Sequence, residues 1–133
     1  MREVRVDQNA LIKVRELYES VMASACHGLF AREGAILGAE IAQEALGDQE
    51  HYFQRATELM IKLGWVESVE FRTDRVVVKG SIEAVDGQGV TCHRLRGMLR
   101  ELYERKSSTR VNCLEEECAG NGKEACVFRI QAA

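Results

Sequence analysis

Apolar residues recur at helical spacing through the first half of the chain and at strand spacing later on. Leu11, Val14, Tyr18 and Val21, with Leu17 beside them, predict a helix capped by Asp7 or Asn9, running to about Ala25 with its stripe toward a core. Glu3 to Asp7 reads as a short edge strand ahead of it. Cys26-His27-Gly28 breaks or hinges the helical run, and Leu29 to Leu46 resumes it. Gly34 and Gly38 lie four apart on one face of that second helix, where something approaches closely, most often another helix. Gly47-Asp48 ends the second helix. Gln49 to Leu63 forms a third, with a stripe of Tyr52 or Phe53, Ala56, Leu59, Met60 and Leu63, closed by Gly64 as a C-cap.

The period then changes from helical to alternating. Trp65 to Arg72 and Arg75 to Ala84 predict a hairpin over Thr73-Asp74. Val76, Val78 and Ile82 share one face, with Gly80 as a bulge on it, and Val69 and Phe71 face inward from the partner strand. After a loop at Asp86 to Gly89, Thr91 caps a fourth helix, whose buried face carries Cys92, Leu95, Leu99 and Leu102. Arg110 to Cys118 and Ala125 to Gln131 make a second hairpin around Ala119 to Lys123. Together these elements predict an α+β fold of about four helices packed on a four-stranded antiparallel sheet.

Composition narrows the class. A chain of 133 residues predicts one domain, residues 1–133, with enough core to fold without disulfides. A net charge of −3, from 18 basic and 21 acidic residues, favours neither nucleic acid nor anionic lipid. No apolar run is long enough for a membrane span or a signal peptide. Five cysteines, an odd number and without a secretory leader, predict a cytoplasmic protein whose thiols serve metals or cores. The absence of proline fits long helices without a stiff linker.

The densest chemistry lies between Cys92 and Cys126. Cys92, Glu115, Cys118 and Cys126 place one thiol at a helix start and the other donors along a hairpin, a set suited to tetrahedral Zn²⁺. Four protein donors leave no open position for water, so such a site is structural. Three thiolates, one carboxylate and Zn²⁺ leave a double negative charge, for which Arg94, Arg96, Lys123 and Arg129 are the available cations. Cys113, two residues before Glu115, is an alternative donor. Elsewhere, Cys26 and His27 are adjacent and do not converge on one point, so they read as a core thiol and a surface or capping imidazole. Glu33, Glu40 and Glu44 form an acidic line without histidine, which reads as a solvated face. No phosphate loop, nucleophile motif or internal repeat is visible.

The segment from 91 to 130 resembles the 4-vinyl-reductase-type small-molecule-binding domain, which also forms the sensor half of phenol-responsive bacterial activators. The resemblance rests on Cys92 to Gly97, then Glu115, Cys118, Gly122, Cys126 and Phe128. It implies zinc held by Cys92, Glu115, Cys118 and Cys126, which favours Glu115 over Cys113. It further implies a mixed α/β fold shared with vesicle-tethering subunits, and a homodimer through the N-terminal helices. The expected function is non-catalytic binding of a small apolar or aromatic molecule. The alternatives are a tetrapyrrole vinyl reductase, for which no cofactor fingerprint or acid–base pair is visible, and a scaffold subunit without ligand. The sensors' aromatic-recognising residues are not carried over. On composition, Phe30, Tyr52, Phe53, Trp65 and Phe71 are the expected cavity lining, with Gly38 at a point of close approach.

Overall fold

Asp7 starts the first helix, its Oδ1 accepting the Ala10 N–H at 2.8 Å. In this computed structural model, which describes residues 1–133, α1 spans Gln8–Met22. Residues 1–7 form no strand, in contrast to the expected edge strand. The stripe expected to face the core also faces outward: Leu17 is 60% and Val21 75% exposed, and Arg15 is the buried residue of α1. The cause lies in how the helix docks. Gln8 Nε2 donates to the Ile82 carbonyl at 3.0 Å, Arg15 donates to the Gln88 side-chain oxygen, and Glu19 meets His27 at 2.6 Å. These polar contacts turn the other face of α1 toward the body.

A 3-10 turn, Ala23–Ala25, separates α1 from α2, Cys26–Ala45. The break therefore falls before Cys26-His27-Gly28, where Ala23 takes a left-handed φ of 51°. A second 3-10 stretch, Leu46–His51, precedes α3, Tyr52–Lys62. Asp48 is non-helical there (φ −135°, ψ 81°), so α3 starts later than the apolar pattern predicts. It buries Tyr52, Ala56, Leu59 and Met60, and Gly64 closes it at φ +88°.

The strands are β1 (Ser68–Phe71), β2 (Arg75–Lys79), β3 (Val111–Glu117) and β4 (Cys126–Ala132), with α4 (His93–Ser107) between the two hairpins. The first hairpin is shorter than expected. Gly80, at φ +65°, ends β2 rather than bulging within it, and Ile82 donates its N–H to the Trp65 carbonyl outside the sheet. The sheet is antiparallel, in the order β1-β2-β4-β3. Val76 sits opposite Phe128 and Val78 opposite Cys126, which joins the two hairpins along their inner face.

Two helices, α3 and α4, make the main packing on that face, and α2 lies over α4, so the expectation of four helices on the sheet is corrected to two with a second layer. Glycine permits that layering. A Cβ on Gly34 would stand 1.8 Å from the Arg94 carbonyl oxygen, and one on Gly97 1.8 Å from that of Ala31. The close neighbour of Gly34 and Gly38 is thus the backbone of α4. One core cluster joins Ile41, Tyr52, Met60, Val76, Leu95, Leu99, Leu102, Phe128 and their neighbours.

Candidate metal centre

Three structural devices bring the donors together. Cys92 occupies the N-cap of α4, one residue earlier than a cap at Thr91 would place it. Thr91 instead donates its hydroxyl to the Glu83 carbonyl at 2.6 Å. The helix start is closed from a distance, since the Glu83 carboxylate accepts the N–H groups of Arg94 (3.1 Å) and Leu95 (2.8 Å). No local sequence signal pointed to Glu83.

On the sheet, period-two alternation would send Glu115 and Cys118 to opposite faces. The register shift between Glu115 and Glu117 resets the phase, and both reach the inner side. Gly122 turns the chain with φ +80°, and Cys126 opens β4 facing inward beside Phe128.

The resulting distances suit a metal. The Sγ atoms lie 4.0 Å (Cys92–Cys118), 3.7 Å (Cys92–Cys126) and 3.8 Å (Cys118–Cys126) apart. A tetrahedron with sulfur at about 2.3 Å from zinc has sulfur–sulfur edges of about 3.8 Å. All five cysteines are free, so no disulfide accounts for this spacing. Glu115 brings a carboxylate oxygen within 4.8 Å of the three sulfurs, and both its oxygens are buried without a hydrogen-bond partner. A buried carboxylate left unpartnered is costly, and a cation among these donors would satisfy it. The cluster can therefore hold a metal ion.

Charge argues the same way. Burial, with the neighbouring Cys118, pushes Glu115 up to about 8. Hydrogen bonding with Cys118 and Cys126, then burial, drives the Cys92 thiol far up, and Cys118 likewise pushes Cys126 up to about 12. Cys118 alone is pulled strongly down, by hydrogen bonds from Cys126 and Cys92. A dication among the four donors would favour the ionised form of each. Two groups outside the set face the sulfurs: the Ser81 hydroxyl lies 3.2 Å from Cys92 Sγ, and the Ala119 N–H donates to Cys126 Sγ at 3.4 Å. Of the four expected cations, Arg94 is engaged by Glu33 and Glu83 and Arg129 by Glu116, whereas Arg96 forms no ion pair.

Glu83 gives a pH signature. Burial pushes its carboxyl up to about 7, against bonds from Leu95 and Arg94 that pull it down. A folded value above the unfolded value means the unfolded chain releases this proton first, so the wild type loses stability as pH rises from about 4.5 to 7. Glu83→Gln keeps an acceptor for the helix start and does not titrate. The stability difference between wild type and Glu83→Gln, followed by urea unfolding, is expected to shift against the wild type across that window, by about 3 kcal/mol at most. A difference that stays flat with pH would refute this assignment.

The expected lining residues fall into three places. Tyr52, Phe53 and Phe71 come together, with Phe53 centred 5.0 Å from Tyr52 and 4.8 Å from Phe71. Tyr103 completes this cluster 5.0 Å from Phe53, and helical spacing on α4 was the signal that could have found it. Trp65 packs half-buried on the same core. Phe30 stands apart, edge-on to Tyr18 and under the Arg94 guanidinium at 4.4 Å, while Gly38 abuts Met98. Phe30 lines a cleft of about 220 Å³ with Tyr18, Cys26, Leu29 and Glu33. The space between α4 and the sheet is filled by Leu95, Met98, Leu99, Leu102 and Phe128, all fully buried. Cys26 is buried as expected, whereas His27 stacks on His93 at 3.8 Å rather than standing free.

The fold has known counterparts. It is similar to the phenol-responsive sensory domain of the transcription activator PoxR, with a TM-score of 0.83 over 99% of this chain and 77% of that one, at 17% identity. A vinyl-4-reductase family protein from Methanocaldococcus jannaschii aligns over 100% of this chain and 84% of its own, with TM-score 0.63 and 10% identity. A trafficking protein particle complex subunit 3 from Naegleria fowleri, covalently bound to palmitic acid, covers 95% of this chain and 90% of its own, with TM-score 0.62 and 15% identity. No protein-family model and no curated protein matches the sequence. The chain thus shares the fold of the phenol-responsive sensory domain and of the vinyl-4-reductase family protein.

Proposed function

We propose that this domain binds a small apolar or aromatic molecule and releases it unchanged, on a frame braced by a structural zinc at Cys92, Glu115, Cys118 and Cys126. The observation that carries the reading is the fold likeness to a phenol-responsive sensory domain along nearly the whole chain. The metal half is supported by the near-tetrahedral sulfur spacing and the orphaned Glu115 carboxylate. Bound there, zinc would tie the start of α4 to the end of β3 and the start of β4. With four protein donors it would offer no position for a reacting water. Elemental analysis should return about one zinc per chain.

For the ligand, the proposed seat is the half-buried aromatic group of Phe53 and Phe71 with Tyr52 and Trp65 around it. Phe53 and Phe71 would swing aside to admit it. Phe30 would line a separate groove with Tyr18, Cys26, Leu29 and Glu33. Two copies would pair through the outward apolar stripe of α1 and the exposed Leu29 and Ile36 of α2. Five unpaired, buried thiols fit a reducing, cytoplasmic setting.

A thermal-shift screen with phenols, fatty acids and tetrapyrroles tests the binding. A compound at a hundred times its dissociation constant adds about 2.7 kcal/mol of stability. Native mass spectrometry should show it bound intact. Chemical conversion of the compound, or no shift from any class, would reject the reading.

A further inference from the structure

We infer that a second site, separate from the aromatic group and from the four metal donors, takes a small organic carboxylate at the free edge of β3. A cleft of about 130 Å³ opens there between α4, the start of α2 and β3. Ala31 and the exposed edge of β3 at Asn112 to Leu114 line it with Gly97, and α4 contributes Arg96 and Arg100. The two arginines are four apart on α4 and project from one face.

Their charge is largely unspent. Arg96 forms no ion pair or side-chain hydrogen bond, whereas Arg94, Arg105 and Arg129 each have an acidic partner. The nearest acid to Arg100 is Glu104, at 3.9 Å from its Nε, and that nitrogen is buried without a hydrogen-bond partner. Glu104 is itself occupied, since its Oε2 accepts the Val111 N–H at 2.9 Å.

The strand edge adds a donor. Ala133 donates its N–H to the Arg110 carbonyl at 3.2 Å, while the Val111 N–H turns away from β4 to Glu104. By alternation the Cys113 N–H points to the same free edge, into the wall of the cleft. Two guanidinium forks and a main-chain N–H around one cleft match a carboxylate on a short or aromatic body. Paired N–H donors favour its two oxygens over a single hydroxyl.

The test is a benzoate titration of the full chain with its metal in place, followed by backbone amide NMR. Benzoate should move the Gly97 and Cys113 amides. Arg96→Ala/Arg100→Ala should weaken it at least roughly tenfold, and the paired lysine variant, which keeps charge but not the fork, at least severalfold. Metal content and melting temperature should stay unchanged. Should the double variant fail to fold, Arg100→Gln alone serves, with a severalfold loss expected. Benzoate that binds the variants equally well, moves Phe53 and Phe71 instead, or moves nothing at on the order of 10 mM overturns the inference. Phenol added to the same variants separates the two proposals, because the aromatic seat should bind it whether or not the arginines are present.

Discussion

Cys126→Ala is expected to release the metal and to lower the melting temperature by about 10 °C or more. Cys126 Sγ is one corner of the sulfur triangle, 3.7 Å from Cys92 and 3.8 Å from Cys118, and it opens the strand that β2 and β3 both pair with. Losing it leaves two thiols and the Glu115 carboxylate, which could complete a tetrahedron only by admitting a water into this buried site. Structural zinc contributes on the order of 10 kcal/mol or more in peptides that have no other core. This domain has 21 buried residues in its own cluster, so a loss of roughly 3–5 kcal/mol is the expectation rather than complete unfolding. For a chain of this size each kcal/mol is worth roughly 3 °C. Cys26→Ala is the control, since the Cys26 thiol hydrogen-bonds the Ala23 carbonyl, outside the Cys/Glu cluster, and should leave the metal content untouched. A Cys126→Ala protein with full metal, or one melting within a degree or two of wild type, would show that the cluster does not brace the fold.

Gly97→Ala is expected to destabilise the protein by about 2–3 kcal/mol, although helix propensity alone predicts a gain of about 1 kcal/mol. Contact decides the sign. The added methyl would lie 1.8 Å from the Ala31 carbonyl oxygen, a backbone atom that cannot rotate away, so α2 and α4 must separate. Gly34→Ala meets the Arg94 carbonyl at the same 1.8 Å from the opposite side of the crossing. Once one substitution has parted the helices, the second costs less, and the pair should fall short of additive. Gly34→Ala also pushes on the first turn of α4, beside Cys92, and should weaken metal binding as well. Gly28→Ala, with nothing near its added methyl, should be neutral or slightly stabilising. Urea unfolding of the four variants settles the matter, and a Gly97→Ala protein as stable as wild type would disprove the close crossing.

The cluster that could hold a metal was legible because spacing and residue type carry the chemistry. Cys92, Glu115, Cys118 and Cys126 stand out whatever the phase of the strand that bears them. The bulge that turns Cys118 to the same side as Glu115 is a backbone event with no residue signature. Glu83 was invisible for a related reason: it caps a helix that begins ten residues downstream, His93, and only tertiary structure brings the two together. Helical periodicity found α1 and misassigned its face, since a stripe of Leu17, Tyr18 and Val21 reads the same against a core or outside it. The apolar pattern likewise ran both strands of the first hairpin too long. Trp65 and Ile82 are linked to each other by a hydrogen bond just beyond the sheet.

The place of β4 in the sheet has a consequence during synthesis. It is the last of the four strands along the chain, yet it lies between β2 and β3 and carries Cys126 of the Cys/Glu cluster. As the chain leaves the ribosome from its N-terminus, the first hairpin and all four helices emerge before either half of the sheet can be joined. At roughly 5–20 residues per second this leaves β2 with an open edge for several seconds. The inner faces of β2 and α4, including Val76, Val78, Leu95 and Leu99, are uncovered through that interval. Closure of the sheet and completion of the Cys/Glu cluster then fall to the same short segment, Cys126–Ala132.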